Sequence, residues 1–271
     1  MKDFKIRYIF YTLHGYLSLL VIILISLIIF IPVLIIHIFK KDIFLICTRF
    51  LVRLMFFLYC SPVNKYFKKK KIDSKRKIYI INHSSLIDGL LVYLIPENIK
   101  VMGNAIYGKL PILGIGFNFL GNISVKRGEQ GNALDTYYLA KEYIENSYPV
   151  VIFPEGTRTR DGNIQKFQNG AFNLALDAKA DIVPIVFDSW HFLPPHSFLI
   201  RERNIYIKIL DPIRYEDIKD LTPKDINKLS KIKIIESLIE MKKNNKYNYD
   251  FSEIIKNLEK ELITLKSPIK D

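Results

Sequence analysis

Two short segments of this sequence hold most of the side chains able to do chemistry. The first is Asn82-His83-Ser84-Ser85-Leu86-Ile87-Asp88-Gly89. At about 100° per residue a helix would leave His83 and Asp88 about 140° apart, so the two meet only across a turn. A strand giving way to a helix provides such a turn. There the carboxylate accepts from one ring nitrogen and fixes the tautomer, while the other nitrogen takes a proton from a substrate hydroxyl. The pair is then a base and its orienter, with no protein nucleophile. A plainer arrangement fits the same residues: Asp88 caps a helix and His83 is a satisfied, half-buried histidine.

The second segment runs Phe153-Pro154-Glu155-Gly156-Thr157-Arg158-Thr159-Arg160-Asp161-Gly162, with Lys166-Phe167 and Gly170-Ala171-Phe172 close behind. Its glycines permit close backbone approach, and its Thr and Arg side chains suit a phosphate. A third segment, Gly121-Asn122-Ile123-Ser124-Val125-Lys126-Arg127-Gly128, sets two cations side by side at a strand end, a pairing also common on solvated surfaces. Other patterns lack a needed part. Gly103-Asn104-Ala105-Ile106-Tyr107-Gly108-Lys109-Leu110 spells a phosphate loop, but Leu110 stands where a hydroxyl would hold magnesium. No G-x-S-x-G elbow occurs, so a serine hydrolase lacks its nucleophile signature. His191 and His196 flank Pro194-Pro195 and read as loop residues rather than a metal site. Cys47 and Cys60 lie in apolar surroundings with no metal-ligand spacing, and read as small apolar residues.

The elements that must position these segments follow from periodicity. After Arg76, short β-branched runs alternate with helix-length stretches, the pattern of an α/β domain with a mixed sheet flanked by helices. Strands are expected near 78–81, 100–102, 123–125, 150–153, 182–187 and 205–210. Helices are expected near 90–94, 107–119, 133–145, 171–178, from Thr222-Pro223 to about 243, and over 251–265. Each candidate segment then follows a strand, at the edge where ligands of open α/β sheets gather.

Ahead of that domain the chain turns greasy. Residues 17–39 are almost wholly apolar, broken by Pro32 and His37, and would reach roughly 35 Å as a helix, enough to cross a hydrocarbon core of about 30 Å. No small-residue cleavage site follows, so the run does not read as a removable signal. Lys2, Lys5 and Arg7 before it and Lys40 and Lys41 after it give no orientation by charge. A second apolar stretch, 43–60, places Arg49 and Arg53 on one helical face, as in a helix lying in the membrane interface. The two stretches form either one span with an interfacial helix or a hairpin in one leaflet. The expected organisation is membrane-anchoring helices over 1–62, a basic linker over 63–76 containing Lys68-Lys69-Lys70-Lys71, the α/β domain over 77–215 and a helical extension over 216–271. Lys and Arg outnumber Asp and Glu by 40 to 27 while 49% of residues are hydrophobic, which excludes disorder and points to an anionic membrane surface. No groove-reading or base-stacking module is present, so nucleic acid is not an expected partner.

Taken together the segments resemble the glycerolipid acyltransferase family that includes the 1-acylglycerol-3-phosphate acyltransferases. H-x-x-x-x-D is His83 with Asp88; the next block is matched by Pro111, Gly114 and Gly121 through Arg127; F-P-E-G-T-R stands at Phe153 to Arg158; and V-P-I is Val183-Pro184-Ile185. The chain departs from many bacterial members at Ala105-Ile106-Tyr107, where they carry Lys-Glu-Leu. The resemblance implies that His83 is the base and Asp88 its support, and that Lys126, Arg127 and Arg158 hold a glycerol phosphate. Glu155, Gly156 and Thr157 then join the substrate-binding set. It further implies acyl transfer from a thioester, carried by coenzyme A or acyl carrier protein, to the free hydroxyl of lysophosphatidate. Neither a metal, a further cofactor nor an acyl-enzyme is needed. Glycerol 3-phosphate or a larger lysophospholipid is the alternative acceptor, and a non-catalytic membrane scaffold the alternative class. The expected location is a membrane, with the catalytic domain facing the cytoplasm. Acyl-chain preference, carrier and oligomeric state leave no mark in the sequence.

Overall fold

A computed structural model of the chain describes residues 6, 9–17, 20, 41–58, 72–109, 113–126, 130–193, 204–244, 247 and 249–267. Its centre is a six-stranded sheet in the order β3-β2-β4-β1-β5-β6. The strands are β1 (Lys77–Ile81), β2 (Lys100–Asn104), β3 (Ile123–Val125), β4 (Val150–Ile152), β5 (Asp181–Asp188) and β6 (Tyr206–Ile209). The first five run parallel, and β6 closes one edge antiparallel to β5. Parallel strands covered on both faces are apolar at successive positions rather than at alternate ones. β1 shows why: Ile78 and Ile80 enter one core, whereas Tyr79 and Ile81 enter the other.

The first core is covered by α4 (Gln130–Glu145), α5 (Gly170–Asp177), α7 (Pro223–Asn244) and α8 (Ser252–Lys266). Thr222 opens α7: its hydroxyl accepts from the Asp225 amide at 3.2 Å, ahead of a proline in the first turn. Ile226, Ile234, Ile235 and Leu238 of α7 are buried beside Phe172 and Ile78. The boundary after 215, where a helical extension was expected, is therefore no break in the core; α7 completes one face of the sheet. A short helix α6 (Tyr215–Ile218), which the periodicity did not suggest, makes the connection.

The second core lies under α1 (Lys41–Leu58) and under α2 (Asp88–Leu91), which continues as a 3-10 turn, Val92–Leu94. Phe44, Leu45 and Val52 of α1 pack with Tyr79, Leu91 and Ile95. Arg49 and Arg53 lie four apart on α1, as expected, but in different surroundings. Arg49 turns inward and its guanidinium donates to the carbonyls of Ile95 and Glu97, while Arg53 is exposed. Part of the segment read as membrane anchor is thus a structural layer of the domain. Most of 17–39 and all of the lysine run lie outside the described residues; among the described residues, no helix is long and apolar enough to cross a membrane.

The helix expected over 107–119 divides into a 3-10 turn, Tyr107–Lys109, and α3 (Leu113–Phe119). A Cβ on Gly114 would stand 2.4 Å from the Gly108 carbonyl oxygen, so the two pieces close on each other only with glycine there. The phosphate-loop look-alike around Gly108 is spent on this turn.

Candidate active site

Strands β1, β3, β4 and β5 are parallel, so the segments that follow them emerge on one edge of the sheet. After β1, the Asn82 side chain exchanges two 2.8 Å hydrogen bonds with the backbone of Phe187, prolonging the ladder by one residue. The chain then turns, and Asp88 comes back over it. His83 Nδ1 lies 2.9 Å from Asp88 Oδ2, the same oxygen that accepts from the amides of Ser84 at 2.7 Å and Ser85 at 2.8 Å. The other oxygen accepts from the Ser189 hydroxyl at 2.6 Å. Asp88 is fully buried and opens α2, yet its carboxylate serves the preceding turn; the plainer alternative, a capping aspartate, is not what the structure shows.

A carboxylate can only accept, so Nδ1 carries the ring proton and Nε2 presents its lone pair. Nε2 makes no hydrogen bond among the described residues, and the His83 side chain keeps 17% of its surface exposed. The ring stacks on Phe153, with centroids 4.3 Å apart. The His83 backbone is fixed as well: its N–H donates to Glu155 Oε1 at 2.7 Å, and its carbonyl accepts from the Thr159 amide at 2.9 Å.

Glu155 ties the two loops together. Its second oxygen accepts from the Gln165 amide at 2.8 Å, so the buried carboxylate is a staple between the two candidate loops. Burial pushes its pKa up to about 7, against the lowering effect of the two amide bonds and with some help from the Asp88 charge. Gln165 also donates to the Arg158 carbonyl at 3.0 Å and accepts from the Thr157 hydroxyl at 3.1 Å, bracing the loop from below. Gly156, at φ +70°, makes the turn that an L side chain rarely adopts. Gly156 and Thr157 are exposed on the rim, and the Arg158 guanidinium makes no hydrogen bond or ion pair among the described residues.

Lys126 follows β3, two strand spacings or roughly 10 Å from the end of β4. It is exposed on the same edge, and no direct contact joins it to Arg158 among the described residues. Arg127, its expected companion, lies outside those residues, as does His196. His191 is buried, with Nε2 2.6 Å from the Asn204 carbonyl. No group of three metal-ligating side chains occurs among the described residues. Sequence reasoning missed Ser189, Phe153, Thr159 and Gln165. Phe153 and Thr159 stood inside a motif read as a phosphate loop; Ser189 had no signal, because only the sheet order brings it to Asp88.

Residues 62–188, which contain the whole His83–Asp88 turn and the Glu155 loop, match the family described as Acyltransferase. Just under half of the chain thus matches that family. A Caenorhabditis elegans protein named as a 1-acyl-sn-glycerol-3-phosphate acyltransferase is 30% identical over 184 residues, covering 65% of this chain and 64% of its own length. A Limnanthes douglasii protein named 1-acyl-sn-glycerol-3-phosphate acyltransferase is 30% identical over 167 residues, with 60% and 59% covered. A Haemophilus influenzae protein of the same name is 33% identical over 118 residues, with 43% and 49% covered. The chain thus spans between 49% and 64% of the length of these three relatives. The fold is shared with the crystal structure of the 1-acyl-sn-glycerophosphate acyltransferase PlsC from Thermotoga maritima, with a TM-score of 0.74 over 90% of this chain and 99% of that one at 20% identity.

Proposed function

We propose that this protein is an acyltransferase that moves a fatty acyl group from a thioester donor to the free hydroxyl of 1-acylglycerol 3-phosphate, giving phosphatidate. The observation that carries the reading is the His83–Asp88 pair, with Nδ1 tied to a buried carboxylate and the ring still partly exposed. The names of the relatives supply the acceptor. His83 Nε2 takes the hydroxyl proton as that oxygen attacks the thioester carbonyl; the tetrahedral intermediate collapses, the carbon–sulfur bond breaks, and the departing thiolate takes the proton back from the imidazolium. Arg158 and Lys126, with Arg127 beside it, are the cations proposed to hold the acceptor phosphate, which adds the advantage of orientation to that of proton transfer.

The acceptor is a bilayer lipid, whereas the donor thioester is water-soluble, so the site must work at a membrane surface. Ile46, Phe50 and Phe57 of α1 are 62%, 57% and 76% exposed and repeat at helical spacing. Ile9, Phe10, Leu13 and Leu17 of the N-terminal helical residues are exposed too. These side chains are proposed to seat the domain in the interface, with the basic surplus drawing it to anionic lipid. Purified protein given a panel of acceptors (lysophosphatidate, larger lysophospholipids and glycerol 3-phosphate) with coenzyme A and carrier-protein donors tests the reading. Preferred turnover of lysophosphatidate is expected; preferred turnover of another acceptor reassigns the substrate, and no turnover of any rejects the enzyme reading.

A further inference from the structure

The turn carrying His83 and Asp88 is gripped from two directions. Phe153, Glu155 and Thr159 hold it from the β4 side. The β5 side forms the second grip, and it begins where the family match ends. The Leu86 amide donates to the Leu193 carbonyl at 3.2 Å, and the Ser85 hydroxyl donates to the same carbonyl at 3.0 Å. Ser189 makes the contact closest to the chemistry, because its hydroxyl donates to Asp88 Oδ1.

Ser189 has a single hydroxyl proton and gives it to Asp88. The 3.0 Å contact between Ser84 Oγ and Ser189 Oγ then has Ser84 as donor. A buried relay follows: Ser84 to Ser189, Ser189 to Asp88, with His83 donating to the far oxygen of the same carboxylate. Without Ser189, Oδ1 would lose the one donor that reaches it among the described residues, and the carboxylate could rotate about its Cβ–Cγ bond away from the ring.

Ser189 is itself anchored through its neighbour. Asp188 is buried, accepts from Lys242 Nζ of α7 at 2.7 Å, and accepts from the Tyr247 hydroxyl. Lys242 also lies over the Phe251 ring, 3.9 Å from its centroid. Burial works to raise the Asp188 pKa, but the Lys242 and His191 charges and the two hydrogen bonds outweigh it and hold the group below the usual carboxylate range. A charge pair this deep is bound firmly to its site.

We propose that Ser189 is a positioning residue of the transfer reaction, locking Asp88 in the orientation that holds His83, and that α7 fixes Ser189 in place through Lys242 and Asp188. This rests on the reading of His83 as the base. It gives α7, outside 62–188, a part in catalysis without any contact to substrate.

Two measurements test it. In steady-state kinetics with lysophosphatidate, Ser189→Ala is expected to lower kcat by about 10- to 100-fold with each KM within about twofold, since alignment is lost but not binding. Ser189→Cys, which keeps a weaker donor in a similar volume, should fall between Ala and Ser. The second readout is the low-field NMR signal of the His83 Nδ1 proton, assigned by its loss in His83→Gln. It is expected to move in Ser189→Ala, and also in Asp188→Asn/Lys242→Met, which leaves no lone charge buried. This signal is independent of the acceptor, so a parent protein inactive on every lipid would reject the functional reading and leave the positional test intact. An unmoved proton or an unchanged kcat in folded Ser189→Ala overturns the role of Ser189; an unmoved proton in the double variant overturns that of α7. Should Ser189→Ala fail to fold, Ser84→Ala removes only the donor to Ser189, and an unmoved proton there overturns the relay.

Discussion

His83 is over-determined: ring, N–H and carbonyl are each held by a different partner. Glu155 shows what such fixing costs. Its carboxyl keeps a proton up to about 7 in the fold against 4.5 ordinarily, so the folded state binds more protons across that window. Its contribution to stability is full below about 4.5 and is lost as pH rises through about 7, on the order of 3 kcal/mol. Glu155→Gln removes this slope. The melting-temperature difference between parent and variant should therefore move against the parent from pH 5 to pH 8, and a constant difference would contradict the assignment. The variant should also lose activity by about tenfold or more, because an amide NH2 cannot accept from the second backbone N–H. At Arg158 the charge and the fork are separable. Arg158→Lys keeps the charge but not the bidentate geometry, so acceptor KM should rise and kcat fall while donor KM changes less. Unchanged acceptor kinetics in Arg158→Ala would remove the residue from the site.

At the scale of elements, much was legible because strands and turns leave local marks. The runs near 123–125, 150–153 and 182–187 are β3, β4 and β5 to within a residue or two, and Thr222-Pro223 does open α7. The order of those strands was not legible, since sheet neighbours are chosen by packing rather than by sequence separation. This is why the Glu155 loop passed for a phosphate cradle when part of it is a clamp on His83. Solvation was likewise invisible: α1 reads as an interfacial helix by composition, yet Phe44 and Val52 are core. Two elements give direct tests. Gly114→Ala forces a Cβ onto the Gly108 carbonyl and should destabilise by about 1–3 kcal/mol, read by urea unfolding. Lys242→Met leaves Asp188 buried without its cation and should cost about 3–5 kcal/mol; Asp188→Asn added to it should recover much of that loss. An undiminished midpoint in Lys242→Met would show that the pair is not held as described.

For the whole molecule, the proposed function has the reaction edge of the sheet and the apolar stripe of α1 serve one membrane surface. Deleting residues 1–61 would not isolate the anchor, because it strips Phe44, Leu45 and Val52 from the second core. Phe50→Asp/Phe57→Asp changes the exposed stripe alone. It should reduce co-sedimentation with anionic vesicles while sparing turnover of a short-chain, soluble acceptor, and undiminished sedimentation would place the main contact elsewhere. The account as a whole depends most on His83 acting as a base toward a lipid hydroxyl. The direct measurement is the initial rate of phosphatidate formation from lysophosphatidate and an acyl thioester, for the parent and for folded His83→Ala. Removing the base should lower the rate by about 100- to 10,000-fold with the melting temperature little changed. A folded His83→Ala protein forming phosphatidate at the parent rate would contradict the mechanism outright.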